Sequence, residues 1–117
     1  MSPRFFFLTI TSMYDEGLLE RCLDAVRAMG VRDCRHKNVF GMRGLMQGKK
    51  MFAAVGESGI IVKMPNAEFD GALQTPGVQR FMPGGEKLGN WVEVNDDVIA
   101  DDSDLRDWLA AGLRGIR

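Results

Sequence analysis

Arg35-His36-Lys37-Asn38-Val39-Phe40-Gly41-Met42-Arg43-Gly44-Leu45-Met46-Gln47-Gly48-Lys49-Lys50-Met51-Phe52-Ala53-Ala54-Val55-Gly56-Glu57-Ser58-Gly59-Ile60-Ile61-Val62-Lys63-Met64 is the stretch whose rhythm decides the fold. Short apolar runs are punctuated by glycine at 41, 44, 48, 56 and 59. Glycine enters the left-handed backbone conformations that tight hairpin loops require, so the pattern reads as several short strands joined by turns. Glu57-Ser58-Gly59 reads as a hairpin tip. The expectation is an antiparallel β-meander.

Before the meander, Leu18, Leu19, Cys22, Leu23, Val26 and Met29 recur at helical spacing, which predicts a helix from about Ser12 to Met29. Ser12 with Asp15 fits a capping box, and Gly30 fits a C-terminal stop. Phe5 to Thr11 has strand-like composition. Residues 1–12 are therefore expected to be an extension, an arm or an edge strand, on a domain spanning 13–117. After the meander, Pro65 suits the first position of a short helix with Phe69, Ala72 and Leu73 turned inward, ended by Pro76-Gly77. Gln79 to Gly89 reads as a loop around Pro83-Gly84-Gly85, and Trp91, Val92 and Val94 as a last, half-buried strand. A closing helix from about Ser103 carries Leu105, Trp108, Leu109, Leu113 and Ile116 on one face, with an acidic first turn that suits the helix dipole. The class is α+β: N-terminal helix, meander, short helix, one or two further strands, C-terminal helix.

At 117 residues, with 45% apolar and 26% charged residues, the chain suits one globular domain with its own core. The net charge of −1 removes any whole-protein electrostatic case for nucleic acid or membrane. Locally the balance is uneven. Residues 35–64 carry six basic side chains against Glu57 alone, whereas residues 65–117 carry five basic against ten acidic. The two cysteines, Cys22 and Cys34, form no C-x-x-C pair and suit a reducing compartment. The apolar run near Phe5 is too short for a signal-peptide core, and no run approaches a membrane span. A cytoplasmic location is expected.

Gly44-Leu45-Met46-Gln47-Gly48-Lys49-Lys50 invites comparison with a phosphate-binding loop. The glycine spacing is short by one, no Ser or Thr follows the lysine, and a strand rather than a helix comes next. A hairpin turn explains it better. Cys34 and His36 alternate along a strand and would share a face, yet zinc needs about four ligands and a Cys–His nucleophile needs an orienting third group. Asp96, Asp97, Asp101, Asp102 and Asp104 lack the glycine and glutamate of a calcium loop, and helix capping explains them better. No catalytic, cofactor or metal residue is assigned. The candidate binding face is Lys37, Arg43, Lys49, Lys50 and Lys63, placed to meet an anionic partner; the plainer alternative is a solvated sheet with strand-edge lysines. Phe40 and Phe52 are expected in the core rather than as stacking platforms for bases. Met42, Met46, Met51 and Met64 read as core filler or, where exposed, as an adaptable surface.

Tyr14-Asp15-Glu16 opening the first helix, then Val39-Phe40-Gly41, Gly44-Leu45-Met46, Gly48-Lys49-Lys50-Met51-Phe52-Ala53, Val62-Lys63, Trp91-Val92-Glu93-Val94 and Asp101-Asp102-Ser103-Asp104-Leu105 through Trp108 together resemble the N-terminal domain of the TfoX/Sxy family. Their order and spacing carry the likeness, which runs from about Met13 to the C-terminus. Val39 stands where the family usually has methionine, and residues 1–12 have no counterpart. The resemblance implies a curved, mainly antiparallel sheet packed by helices; the chain is expected to be a single-domain member, departing from full-length regulators that carry a C-terminal helical domain. It also implies a role around natural competence, where such proteins act with the cAMP receptor protein at promoters. It brings no catalytic residues. The expected function is a non-enzymatic regulatory module that binds a protein partner and self-associates as a homodimer or small homo-oligomer through a sheet edge or methionine-rich face. One alternative is a nucleic-acid-associated protein using the basic stretch 35–63. Another is a small-molecule binder or an enzyme with a deep pocket around Cys34, His36 or Trp91.

Overall fold

A computed structural model of the chain describes residues 13–117. The expected arm at Phe5–Thr11, and Ser12 of the expected capping box, lie outside them. Helix α1 spans Glu16–Ala28. Its cap is Asp15, whose carboxylate accepts the Leu18 N–H at 2.9 Å, so the helix begins later than its apolar spacing suggests. The residues just before it are held elsewhere: Met13 N–H donates to the Gly41 carbonyl and Asp15 N–H to that of Gly56. Gly30, at φ +91°, turns the chain away at the other end, a left-handed conformation that glycine adopts without a Cβ penalty.

The meander follows as β1 (Cys34–Val39), β2 (Met42–Gln47), β3 (Lys50–Val55) and β4 (Gly59–Lys63), each antiparallel to the next. Helix α2 covers Asn66–Ala72, with Pro65 at its cap rather than inside its first turn. The stretch expected to be loop contains a strand, β5 (Val78–Arg80), before a single turn of 3₁₀ helix at Pro83–Gly85. Three residues with one buried side chain leave too little period to read; pairing with β6 (Trp91–Asn95) is what extends them. Helix α3 runs from Asp102 to Gly115. All pairings are antiparallel in a six-stranded sheet of order β1-β2-β3-β4-β6-β5, so β6 enters between β4 and the strand that precedes it.

Among the described residues, the three helices pack on one face of this sheet, here called the inner face. Leu18, Cys22 and Val26 of α1 and Leu105, Leu109 and Leu113 of α3 meet Leu45, Ala53, Val55, Ile60, Val62, Val92 and Val94. A bulge between Leu45 and Met46 skips Phe52 in the pairing, which lets Phe52 and Ala53 both reach this core. Helix α3 also carries a flat strip against the sheet. A Cβ added at Gly112 would stand 2.6 Å from the Phe52 carbonyl oxygen, and one at Gly115 would run into the Lys63 carbonyl.

Two polar clips fasten the helices. Arg21 of α1 donates to the Asp102 carboxylate at 2.9 Å and to the Ile99 carbonyl at 2.8 Å. Arg114 of α3 forks onto both Glu68 oxygens at 2.8 and 3.1 Å, and its hydrogen bonds hold the Glu68 carboxyl below the usual carboxylate range. The aspartate cluster is thus divided differently from the capping expected of it. Asp101 occupies the N-cap of α3 without a side-chain cap bond, Asp102 is the clip, and Asp104 lies in the first turn where the helix dipole favours an anion.

Candidate functional site

The face of the sheet opposite the helices, the outer face, is where the unabsorbed chemistry collects. Strand alternation and register send Val39, Met42, Met51, Ala54, Ile61 and Trp91 outward. Ala54, Ile61 and Trp91 form a second, small apolar cluster with Met42, Met51 and Phe81 packed against it. Gly44 lies among them with no room for a side chain, since a Cβ there would stand 2.6 Å from the Met51 sulfur and 2.8 Å from a Val39 methyl. Of the methionines read as filler, Met64 is in the inner core and Met42 and Met51 belong to the outer cluster.

Phe40 corrects the sequence reading outright. Expected in the core, it is 81% exposed, whereas Phe52 is fully buried as expected. Val39 pairs with Met42, leaving Phe40 and Gly41 as the two central residues of the β1–β2 turn. Both have positive φ, +54° and +84°, the arrangement of a type I′ hairpin turn. Asparagine or glycine usually fills the first of these positions. Phe40 is the non-glycine residue at positive φ among the described residues, and its ring gains no burial in return. Asn38, two residues earlier, accepts the Gly41 N–H at 2.9 Å and holds the turn closed.

Beside this turn the outer face dips into a cleft of about 410 Å³. Its walls include Met13, Met42, Ile61 and Phe81, with Glu57 and Glu93 as the charged groups on its lining. Met13 is fixed there by its bond to the Gly41 carbonyl, and its side chain lies against Gly41, where a Cβ would come 2.9 Å from the sulfur. Gln79 donates to Glu93 at 3.0 Å across the β5–β6 pair. The cleft therefore mixes apolar walls at Met13, Met42, Ile61 and Phe81 with polar ones at Ser58, Gln79 and Asn95, and its charged groups are both acidic.

The basic residues picked from the sequence do not form one surface. Lys37 and Lys63 alternate onto the outer face; Lys63 stands 5.8 Å from the centre of the Trp91 ring. Arg43 turns inward, 5.7 Å over the Tyr14 ring, and donates to His36 Nδ1 at 3.1 Å. Lys50 donates to the Ile116 carbonyl at 3.1 Å, past the end of α3. Lys49 sits in the β2–β3 turn, exposed.

Cys34 and His36 do share a face, the inner one, opposite Gln47 and Leu45. The Cys34 thiol is half-buried and burial raises its pKa; burial pushes Cys22, on α1, up to about 12. Both are free. Among the described residues no group of three or more His, Cys, Asp or Glu side chains could hold a metal ion, and no helix is long and apolar enough to cross a membrane. The cleft lies on the opposite face from Cys34 and His36, and Trp91 is not among its walls.

The part that Met13, Phe81 and Glu93 play in this region escaped the sequence reading, and Phe40 was assigned to the core instead. The signal for Phe40 was present: a two-residue loop ending in glycine between pairable Val39 and Met42. No local pattern links the other three.

Comparison with known proteins follows the same outline. No match was found among curated proteins, and none among solved structures. The TfoX N-terminal domain family model matches residues 27–116, from the last turn of α1 through the sheet to the end of α3. With most of its length matched and the α+β order in place, the chain belongs to the TfoX N-terminal domain family.

Proposed function

We propose that this chain is a regulatory module that works by contacting proteins through the outer face of its sheet, with no chemistry of its own, in transcription control linked to competence. Family membership supports the regulatory half of this reading. The observation that carries the contact half is Phe40, held at φ +54° with its ring 81% exposed. Backbone strain of this kind persists where the surrounding structure imposes it, and it clusters at functional positions. An exposed aromatic beside a cleft walled by Met13, Met42 and Phe81 brings together the aromatic and methionine residues that protein interfaces are enriched in.

The test is capture from native lysate, with and without nuclease, comparing the wild-type chain with Phe40→Asn. A nuclease-resistant partner lost with the variant supports the proposal. Nothing above background at several salt concentrations overturns it. Capture abolished by nuclease, steeply salt-dependent and lost with Lys49→Glu and Lys50→Glu, replaces it with the nucleic-acid reading.

A further inference from the structure

We infer that the cleft on the outer face receives Phe40 of a second copy of this chain, so that two copies pair by reciprocal insertion. The inference rests on the reading of Phe40 as a contact residue and names what it contacts. A two-fold interface uses the same patch on both partners, so the patch must carry both the projecting group and the recess that takes it. Here they are neighbours. The Phe40–Gly41 turn is bonded to Met13, and Met13 and Met42 are walls of the cleft.

Charge agrees with this pairing. The charged groups lining the cleft are both carboxylates, Glu57 and Glu93. Lys37 stands on the outer face of β1, exposed and three residues before Phe40. In a two-fold pair through this patch, the cationic Lys37 of each copy complements the acidic Glu57 and Glu93 of the other, and the ring enters the cleft against Met42, Ile61 and Phe81. One copy alone leaves the ring, the recess and these charges exposed to water.

Sedimentation equilibrium on the full chain tests this, over a wide concentration range, with Phe40→Asn, Glu93→Lys, Lys37→Glu and the last two combined. Asparagine tolerates positive φ, so Phe40→Asn removes the ring without harming the turn, and circular dichroism with a thermal melt verifies the fold. The wild type is expected to dimerise. Each single change should weaken association at least tenfold, and the combined charge reversal should recover most of it. A wild type that is monomeric throughout, a dimer indifferent to Phe40→Asn, or a charge reversal without recovery overturns the inference. A monomer that still captures a partner in a Phe40-dependent way removes the second copy but leaves the protein-contact reading standing. A Phe40-dependent dimer with an empty capture does the opposite.

Discussion

Phe40 occupies a backbone conformation that costs an L-residue about 1–2 kcal/mol, because Cβ crowds the following carbonyl. Its exposed ring recovers none of that in the single chain. Phe40→Asn is therefore expected to stabilise the isolated domain by about 1 kcal/mol, read as a higher denaturant midpoint with an unchanged slope. Under the proposed contact role, a stability gain with Phe40→Asn would come together with a loss of binding. The sequence hid this because Asn38-Val39-Phe40 has strand composition throughout, and composition does not say where a hairpin folds over. Cys22 makes the contrasting case. Its burial was legible from helical spacing, and its thiol pKa near 12 follows from that burial. In the unfolded chain the thiol ionises near 9.0, so between that pH and about 12 the unfolded state loses a proton that the folded state keeps. Stability should fall as pH rises through this window, by up to about 1.4 kcal/mol per pH unit from this group. Cys22→Ala should flatten that part of the profile. At neutral pH, alkylation should reach half-buried Cys34 well before Cys22.

Among the elements, α3 shows how periodicity informs and where it stops. Leu105, Leu109 and Leu113 were readable as the buried stripe, and they are buried. The residues that set the helix-to-sheet distance, Gly112 and Gly115, leave no hydrophobic signal. Glycine in mid-helix reads as a weakness until the strand beneath is known. Gly112→Ala would press a methyl into the Phe52 carbonyl, and an overpacked site of this kind costs about 1–3 kcal/mol. Chemical denaturation should show that loss, although alanine is the better helix former. Similar reasoning explains the scattered basic residues. Alternation sends Lys37 and Lys63 outward and Arg43 and Lys50 to the helix side, and the bulge at Leu45/Met46 changes the phase of β3 in between. Parity along a strand is legible from sequence only after register and bulges are known.

For the whole molecule, helix–meander–helix order was legible because each element carries its own period. The outer-face cleft was not, since its walls come from the segment before α1, β2, β4 and the β5–β6 region. The proposed interface, with walls at Met42, Ile61 and Phe81 and few charges, should lose affinity only modestly as salt rises, unlike a phosphate-reading surface. Measuring association at several salt concentrations distinguishes the two. The sheet order β4-β6-β5 has a consequence for how the molecule comes into being. During synthesis β1 to β4 emerge in the order in which they pair, each beside a neighbour already made. Val78–Arg80 emerges with no partner and must wait for Trp91–Asn95 to reach the gap beside β4. Phe40 can therefore be presented while the nascent chain still lacks the cleft's far wall. A pairing of the kind proposed would then have to wait until Trp91–Asn95 has been made.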